Sequence, residues 1–578
     1  MKKLFNTLSL IMLIPIFTDF TYSQEFNWVN IIGGNGVDSG TTISIDSNGD
    51  TYSIGSFSGI IDIDPGPETM DVGSSTGSVE VNSQYLQKLN SNGELIWVDT
   101  FDLNEKRMHS LELDDDENII VTGSFRGEAD FDPSPDEFIL ESGSYLDFYQ
   151  WNIFVQKLDP SGNLIWAKAL IGFHTIDLEV GNGFHYSRFT IDNYDNIYIS
   201  GSMPITSIID FDPGVNVFEL SGEGNFLLKL NSNGDFIWAR KMEPRVTSFS
   251  FDSDNNMVLV GSFFYSIDFD PGPEEEIRTA IDITTDIFIL KLNEFGDFIW
   301  VNTYSGISID RANSVAIDNS NNIIVTGIFR QTIDFDTSSE VFELSTIETN
   351  DGPDVFILKL TESGDLIFAK QIGGVYNQID RGLVLDNMNN IYVTGNFSGT
   401  ADFDPNSDVY NLTSSGFDDI FTMKLDSDGI FGWAVSIQSE SDLSSEAIAI
   451  NHSMEEIYLT GFIRGITDFD PTEEEAIYSS NNGLPDIFVL KLGLESLDIV
   501  EFDSETTRIF PNPIKNNFII NAKFNGDLEL YDSLGKFVKT TKIHPSNNII
   551  NVEHLQSGIY FAKIKTEKGI EVLKLIKE

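Results

Sequence analysis

Not one cysteine occurs in the 578 residues. That excludes disulfide staples, thiol nucleophiles and thiolate-ligated metals, so the fold must be held by its own core. Basic residues are scarce too: 34 Lys and Arg stand against 91 Asp and Glu, a formal net charge of -57. A field of that sign repels nucleic acid and anionic lipid and attracts cations or basic partners, so no nucleic acid partner is expected. Helical periodicity is missing, and there is no H-E-x-x-H, no nucleophile elbow and no phosphate loop. Beyond the N-terminus no apolar run could span a bilayer, so no transmembrane segment is expected in the mature chain.

The N-terminus itself reads MKKLFNTLSLIMLIPIFTDFTYS. Lys2 and Lys3 precede a short apolar run at 8–17, and the small residues Thr21 and Ser23 stand at the -3 and -1 positions of a cleavage site. Residues 1–23 are therefore expected to be a secretory signal peptide, with the mature chain starting at Gln24.

What the chain has in excess is one repeated unit. Paired aspartates recur as Asp62 and Asp64, Asp130 and Asp132, Asp210 and Asp212, Asp268 and Asp270, Asp334 and Asp336, Asp402 and Asp404, and Asp468 and Asp470. That makes seven copies, 58 to 80 residues apart. Each follows a glycine that closes an apolar stretch (Gly55, Gly123, Gly201, Gly261, Gly327, Gly395, Gly461). Each precedes a segment with a lysine at a fixed place (Lys88, Lys157, Lys229, Lys291, Lys359, Lys424, Lys491).

Within the fifth unit, turn residues split the apolar segments into four strands, A at 314–318, B at 322–328, C at 355–360 and D at 365–371. The B to C connection is long and carries the aspartate pair. A small twisted sheet cannot bury both faces alone, whereas a ring of such sheets can, so the expected fold is all-β, a seven-bladed β-propeller of four-stranded blades. The repeat opens with EFNWVNII at 25–32, which matches strand D, and stops at 488–492, which matches strand C. The N-terminal strand is thus expected to complete the last blade and close the ring. A phase in which D opens each blade, or an open solenoid, would need no such closure. An aromatic starts each D strand (Trp28, Trp97, Trp166, Trp238, Trp300, Phe368, Trp433) and is expected to pack on the neighbouring blade.

Recurrence in all seven units favours architecture for the aspartate pairs: one carboxylate accepts backbone N–H groups in a turn while the residue between plugs the blade edge. The functional alternative is calcium, which wants six to eight oxygens, more than two carboxylates supply. The repeated lysine is expected to run along the blade to a nearby aspartate. His174 and His185, beside Asp177 and Glu179, could form a zinc site, although loop histidines more often face solvent.

From about 499 the repeat vanishes and the charge balances, with 11 Lys and Arg against 10 Asp and Glu in 499–578. A boundary is expected at 494–507, followed by a small C-terminal β-sandwich. Its ordered set of segments, NPI, LELYDSLGK, LQSGIYFAKI and a final basic strand, resembles the type A C-terminal sorting domain of the type IX secretion system of Bacteroidetes. Pro511, Asn512, Pro513, Gly535, Gly558 and Tyr560 fall on that pattern. The resemblance implies export through that machinery, removal of the domain, and release or attachment to surface lipopolysaccharide. The repeats are similar to SBBP-type bacterial propeller repeats in their D-x-x-G-N-hydrophobic-Y and K-L-x-x-x-G patterns, seen here as DNYDNIYISGS at 192–202 with Asp195 where glycine is usual.

The expected organisation is a signal peptide at 1–23, a propeller at 24–498 and a sorting domain at 499–578. The expected role is secreted or cell-surface, non-enzymatic binding of a glycan, a surface protein or a cation-bridged polymer through the loop-bearing rim. The alternative is a secreted hydrolase or lyase with its site at the central mouth.

Overall fold

The computed structural model describes residues 24–577 apart from 74–82, 146–147, 150, 174–187, 204–206, 282–283, 347–351, 452–455, 473, 495–507, 511–512, 523–524, 533–535 and 567–568. The signal-peptide segment and the pair His174 and His185, with Asp177 and Glu179, lie outside the described residues. The chain divides after Leu494 into two compact units.

The described residues of the first unit contain seven antiparallel sheets with four-stranded cores. In the fifth, Arg311–Ile317, Ile323–Phe329, Asp354–Leu360 and Leu366–Gly374 pair in chain order. Strands B and C are buried at every position, which is why they read as continuous apolar runs, while strand D is mostly half-buried with Ile367 exposed. Strand A starts earlier than its alternation implied, because Ala312 pairs with Gly327 ahead of a β-bulge. The repeated glycine, Gly327 in this unit, lies inside strand B. A Cβ at Gly123 would stand 2.0 Å from the Arg107 carbonyl oxygen and 2.6 Å from the Phe154 ring, so this position admits only glycine.

The seven A strands are Ser39–Ile45, Lys106–Leu113, Arg188–Ile191, Arg245–Phe251, Arg311–Ile317, Gln378–Leu385 and Leu443–Asn451. Each packs against the next, and the seventh packs against the first. The seventh sheet takes its fourth strand from the start of the chain: Gln24–Gly34 pairs antiparallel with Asp486–Leu494, from Gln24 opposite Leu494 to Ile32 opposite Ile487. Apolar residues of adjacent sheets share clusters, such as Val258, Ile287 and Ile289 with Val325, Phe356 and Leu358, which buries the face one sheet could not cover alone.

The second unit holds two antiparallel sheets. Arg508–Phe510, Asn517–Ala522 and Ser546–Asn551 form one, and Phe537–Ile543, Gly526–Asp532, Gly558–Thr566 and Gly569–Lys577 form the other. Their shared cluster includes Phe518 and Ile520 from the first with Leu528, Leu530 and Ile564 from the second.

Candidate functional site

The aspartate pairs form one hairpin made seven times. In the fifth unit Asp334 Oδ1 accepts the N–H of Asp336 at 3.0 Å and of Phe342 at 2.8 Å, and Asp336 Oδ1 accepts the N–H of Ser338 at 2.8 Å. The same set recurs from Asp62 and Asp64, with Met70 and Gly66 as donors, to Asp468 and Asp470, with Ala476 and Thr472. The residue between the two carboxylates (Ile63, Phe131, Phe211, Phe269, Phe335, Phe403, Phe469) is buried in every copy. Phe131 lies 4.9 Å from the Phe154 ring, on the core of its own sheet. One oxygen of each aspartate is thus committed to backbone, as the architectural reading requires. Among the described residues no group of three or more His, Asp or Glu could hold a metal.

A role the sequence reading missed is that these hairpins tie consecutive sheets together. Gly33 and Gly34, ending the seventh sheet's outer strand, pair with Asp62 and Ile61 of the first unit, and Gly373 and Gly374 of the fifth sheet pair with Asp402 and Ala401 of the sixth. Gln438 pairs in the same way with Asp468. The signal was present in the chain as residues continuing past each D strand, but a two-residue ladder leaves no periodicity.

The lysines meet acids of the A to B turn in their own unit. Lys291 Nζ lies 2.8 Å from Asp252 Oδ2 and Lys359 Nζ 2.9 Å from Asp318 Oδ2, all four side chains buried. In the seventh unit, Glu456 takes the aspartate's place, 2.8 Å from Lys491. Burial pushes the Asp252 carboxyl up; the Lys291 ammonium and the Asn256 amide and N–H more than offset it, holding the group below its ordinary value. The D-strand aromatics reach across to the next sheet. Trp28 Nε1 donates to the Ser91 carbonyl at 3.2 Å, and Trp97 Nε1 to that of Pro160 at 3.3 Å, each ring lying against the turn glycine, Gly93 or Gly162.

The A strands surround a cavity of about 1210 Å³. Six of these strands carry a β-bulge at the same register: Thr41, His109, Thr247, Asn313, Arg381 and Glu446 are the extra residues, and all six line the cavity. Arg107, Arg188, Arg245 and Arg311 line it as well. Glu112, which accepts from Thr190 Oγ1 and the Ile191 N–H at 3.1 Å, is pushed up to about 7 by desolvation. Burial, with Arg107 and Arg188 nearby, lowers His109 to about 4 and keeps it neutral. None of these residues stood out in the sequence, because a bulge one residue wide shifts which side chains face inward and leaves no motif.

Of the sorting-pattern residues, Pro511, Asn512 and Gly535 lie outside the described residues, as does most of 494–507. Pro513 is exposed, Gly558 opens a strand, and Tyr560 donates its hydroxyl to the Gln556 carbonyl at 3.0 Å.

Residues 508–578 match the secretion system C-terminal sorting domain. The match supports export of this chain to the cell surface or beyond by the type IX secretion system. An uncharacterized WD repeat-containing protein of Acanthamoeba polyphaga mimivirus is similar over 375 residues at 23% identity, covering 56% of this chain. The chain spans about a quarter of that relative's length, since the match covers 26% of it. A crystal structure of a protein of unknown function from Bacteroides caccae aligns with 61% of this chain and 90% of its own at 10% identity and a TM-score of 0.29. No enzyme family is indicated by these matches.

Proposed function

We propose that residues 24–498 are a closed seven-bladed β-propeller that binds an extracellular partner without chemistry, and that residues 499–578 are a cleavable type IX sorting domain. The cyclic packing of the A strands and the pairing of Gln24–Gly34 with Asp486–Leu494 support the closed ring. The residues at 1–23 serve as its signal peptide, in a bacterium of the Bacteroidetes, and the exported chain is released or held by surface lipopolysaccharide.

The observation that carries the binding reading is a recurring apolar ridge on the aspartate hairpins. Val217 and Phe218, Val341 and Phe342, and Val409 and Tyr410 stand exposed at equivalent places of three hairpins, and it is their recurrence that marks them. Repeated, flat, aromatic chemistry suits a glycan or an extended surface protein. A glycan and protein array probed with the full chain tests this. Hits that fall when Phe342 and Tyr410 become serine support it, and an array without hits, or hits indifferent to those changes, rejects it. The alternative, a hydrolase or lyase at the central cavity, draws on Glu112 with its raised carboxyl and on His109. Turnover lost in Glu112→Gln would decide for it.

A further inference from the structure

Arginine is rare in this chain, with 11 in 578 residues, yet five of them line one cavity. Arg107, Arg245 and Arg311 occupy the same register position of three A strands. Each directly precedes the residue opposite the strand B glycine, and each carbonyl oxygen lies within 2.2 Å of where a Cβ on that glycine (Gly123, Gly261, Gly327) would be. The repeat geometry therefore presents the same side chain from three sheets. Arg381 enters from the sixth sheet at the bulge and Arg188 from the third. Arg188, Arg245, Arg311 and Arg381 are exposed side chains, and Arg107 is half-buried against the Trp151 ring, 4.3 Å from its centroid.

Among the described residues of the cavity wall, three acids, Glu112, Asp380 and Glu446, accompany the five arginines. Glu446 lies 3.9 Å from Arg381. Asp380 is buried and occupied by Asn313 and the Thr326 hydroxyl, both at 2.7 Å. Glu112 is bound to Thr190 and to the Ile191 N–H. A guanidinium is always charged, and gathering five around one space costs repulsion that an anion between them removes. The wall is otherwise rich in hydroxyls, among them Ser110, Ser124, Ser200, Ser248 and Ser314, which donate to oxyanions.

We propose that the central cavity binds a compact oligoanion, a small molecule bearing several carboxylate, sulfate or phosphate groups, clamped by Arg107, Arg188, Arg245, Arg311 and Arg381. Guanidinium forks match such groups two oxygens at a time. The volume, about 1210 Å³, accommodates a ligand at or above ordinary cofactor size and excludes a polymer chain in bulk. This site is separate from the hairpin ridge and does not depend on the array outcome.

The test is titration calorimetry and thermal melting of the full chain with three probes, tripolyphosphate, citrate and a sulfated disaccharide, and with neutral sucrose as control, at about 0.15 M salt. At least one anion is expected to bind in the micromolar range and to raise the melting temperature, while sucrose does neither. The probe that binds identifies which oxyanion the site takes. Arg245→Gln and Arg311→Gln are each expected to weaken binding at least tenfold, and Arg245→Lys, which keeps the charge and loses the fork, to weaken it less. Arg240→Gln, on an outer strand near Phe295, should leave it unchanged. Folding of each variant is read from its own melt. The proposal is overturned if no anion binds below millimolar, or if binding is indifferent to both glutamine changes and to Arg245→Lys.

Discussion

Trp28 stands opposite Lys491 in one antiparallel ladder, so the first strand of the chain is the outer strand of its last sheet. The same tryptophan lies against Gly93 and donates to the Ser91 carbonyl, so it also locks the seventh sheet to the first. Removing residues 24–33 is expected to leave Asp486–Leu494 as an open edge and to lower the melting temperature sharply. A synthetic peptide of residues 24–33, added in trans, should restore part of that loss, since strand addition supplies the missing ladder. A deletion that melts as the intact chain does would contradict the closure.

The Lys291 and Asp252 pair gives a second expectation. Lys291→Ala leaves a buried carboxylate without its cation and should cost about 3–5 kcal/mol in a denaturant titration. Lys291→Met combined with Asp252→Asn removes both charges and should cost less than the single change. The depressed Asp252 carboxyl contributes stability above its unfolded value near 3.8 that is lost as the pH falls through the lower folded value.

At the aspartate hairpins, Asp334→Asn keeps an acceptor for the Asp336 and Phe342 N–H groups, whereas Asp334→Ala orphans both. Alanine is expected to cost about 1–2 kcal/mol and asparagine little. Melting curves in excess calcium and in chelator should then differ by the same amount for the wild-type and the asparagine variant. A calcium-dependent shift that only asparagine abolishes would replace the turn role with a ligand role.

Buried carboxylates set a pH dependence of opposite sign. Desolvation raises Asp310 and Asp486 to about 7, and Asp310 Oδ2 and Asp486 Oδ1 are buried without a hydrogen-bond partner. Between about 3.8 and 7 the folded chain holds more protons at these groups than the unfolded one, so their contribution to stability falls as pH rises. Asp310→Asn, with Asp486→Asn, should raise the melting temperature at pH 7.5 and leave it nearly unchanged at pH 4.

Lys106 is the converse case. Burial among Phe101, Phe131 and Phe154 lowers its ammonium to about 8, against 10.5 for the free side chain. The unfolded chain then binds the extra proton from pH 8 to 10.5, and stability rises with pH across that window. Lys106→Met should stabilise the chain at pH 7 by about 1 kcal/mol or more and flatten the rise. An unchanged slope in calorimetry would count against burial as its origin.

Much of this molecule could be read from its repeats. The four strands of each unit, the lysine meeting an acid of the A to B turn and the reach of Trp97 onto the next sheet all follow from residues at fixed places. The pairing of 24–34 with 486–494 followed from a phase argument, because one D-like segment opens the chain and one C-like segment ends the repeat. Other features were hidden for a physical reason. The reason for Gly123 was not legible, since its role depends on a carbonyl from another strand. The two-residue ladders from Gly373 and Gly374 are too short to leave a pattern. The arginine cavity needs the bulge register, which only pairing reveals: Arg381 and Arg311 are at different offsets in the sequence and face one space in the fold.

The ladder from Gln24 to Leu494 has one more implication, for how such a chain is made. A strand that is synthesised first can find its partner only after the final repeat has emerged, so completion of the body is a test of full length. A product broken off before Leu494 would leave Gln24–Gly34 without its ladder and present an open edge to proteases and to other copies of itself.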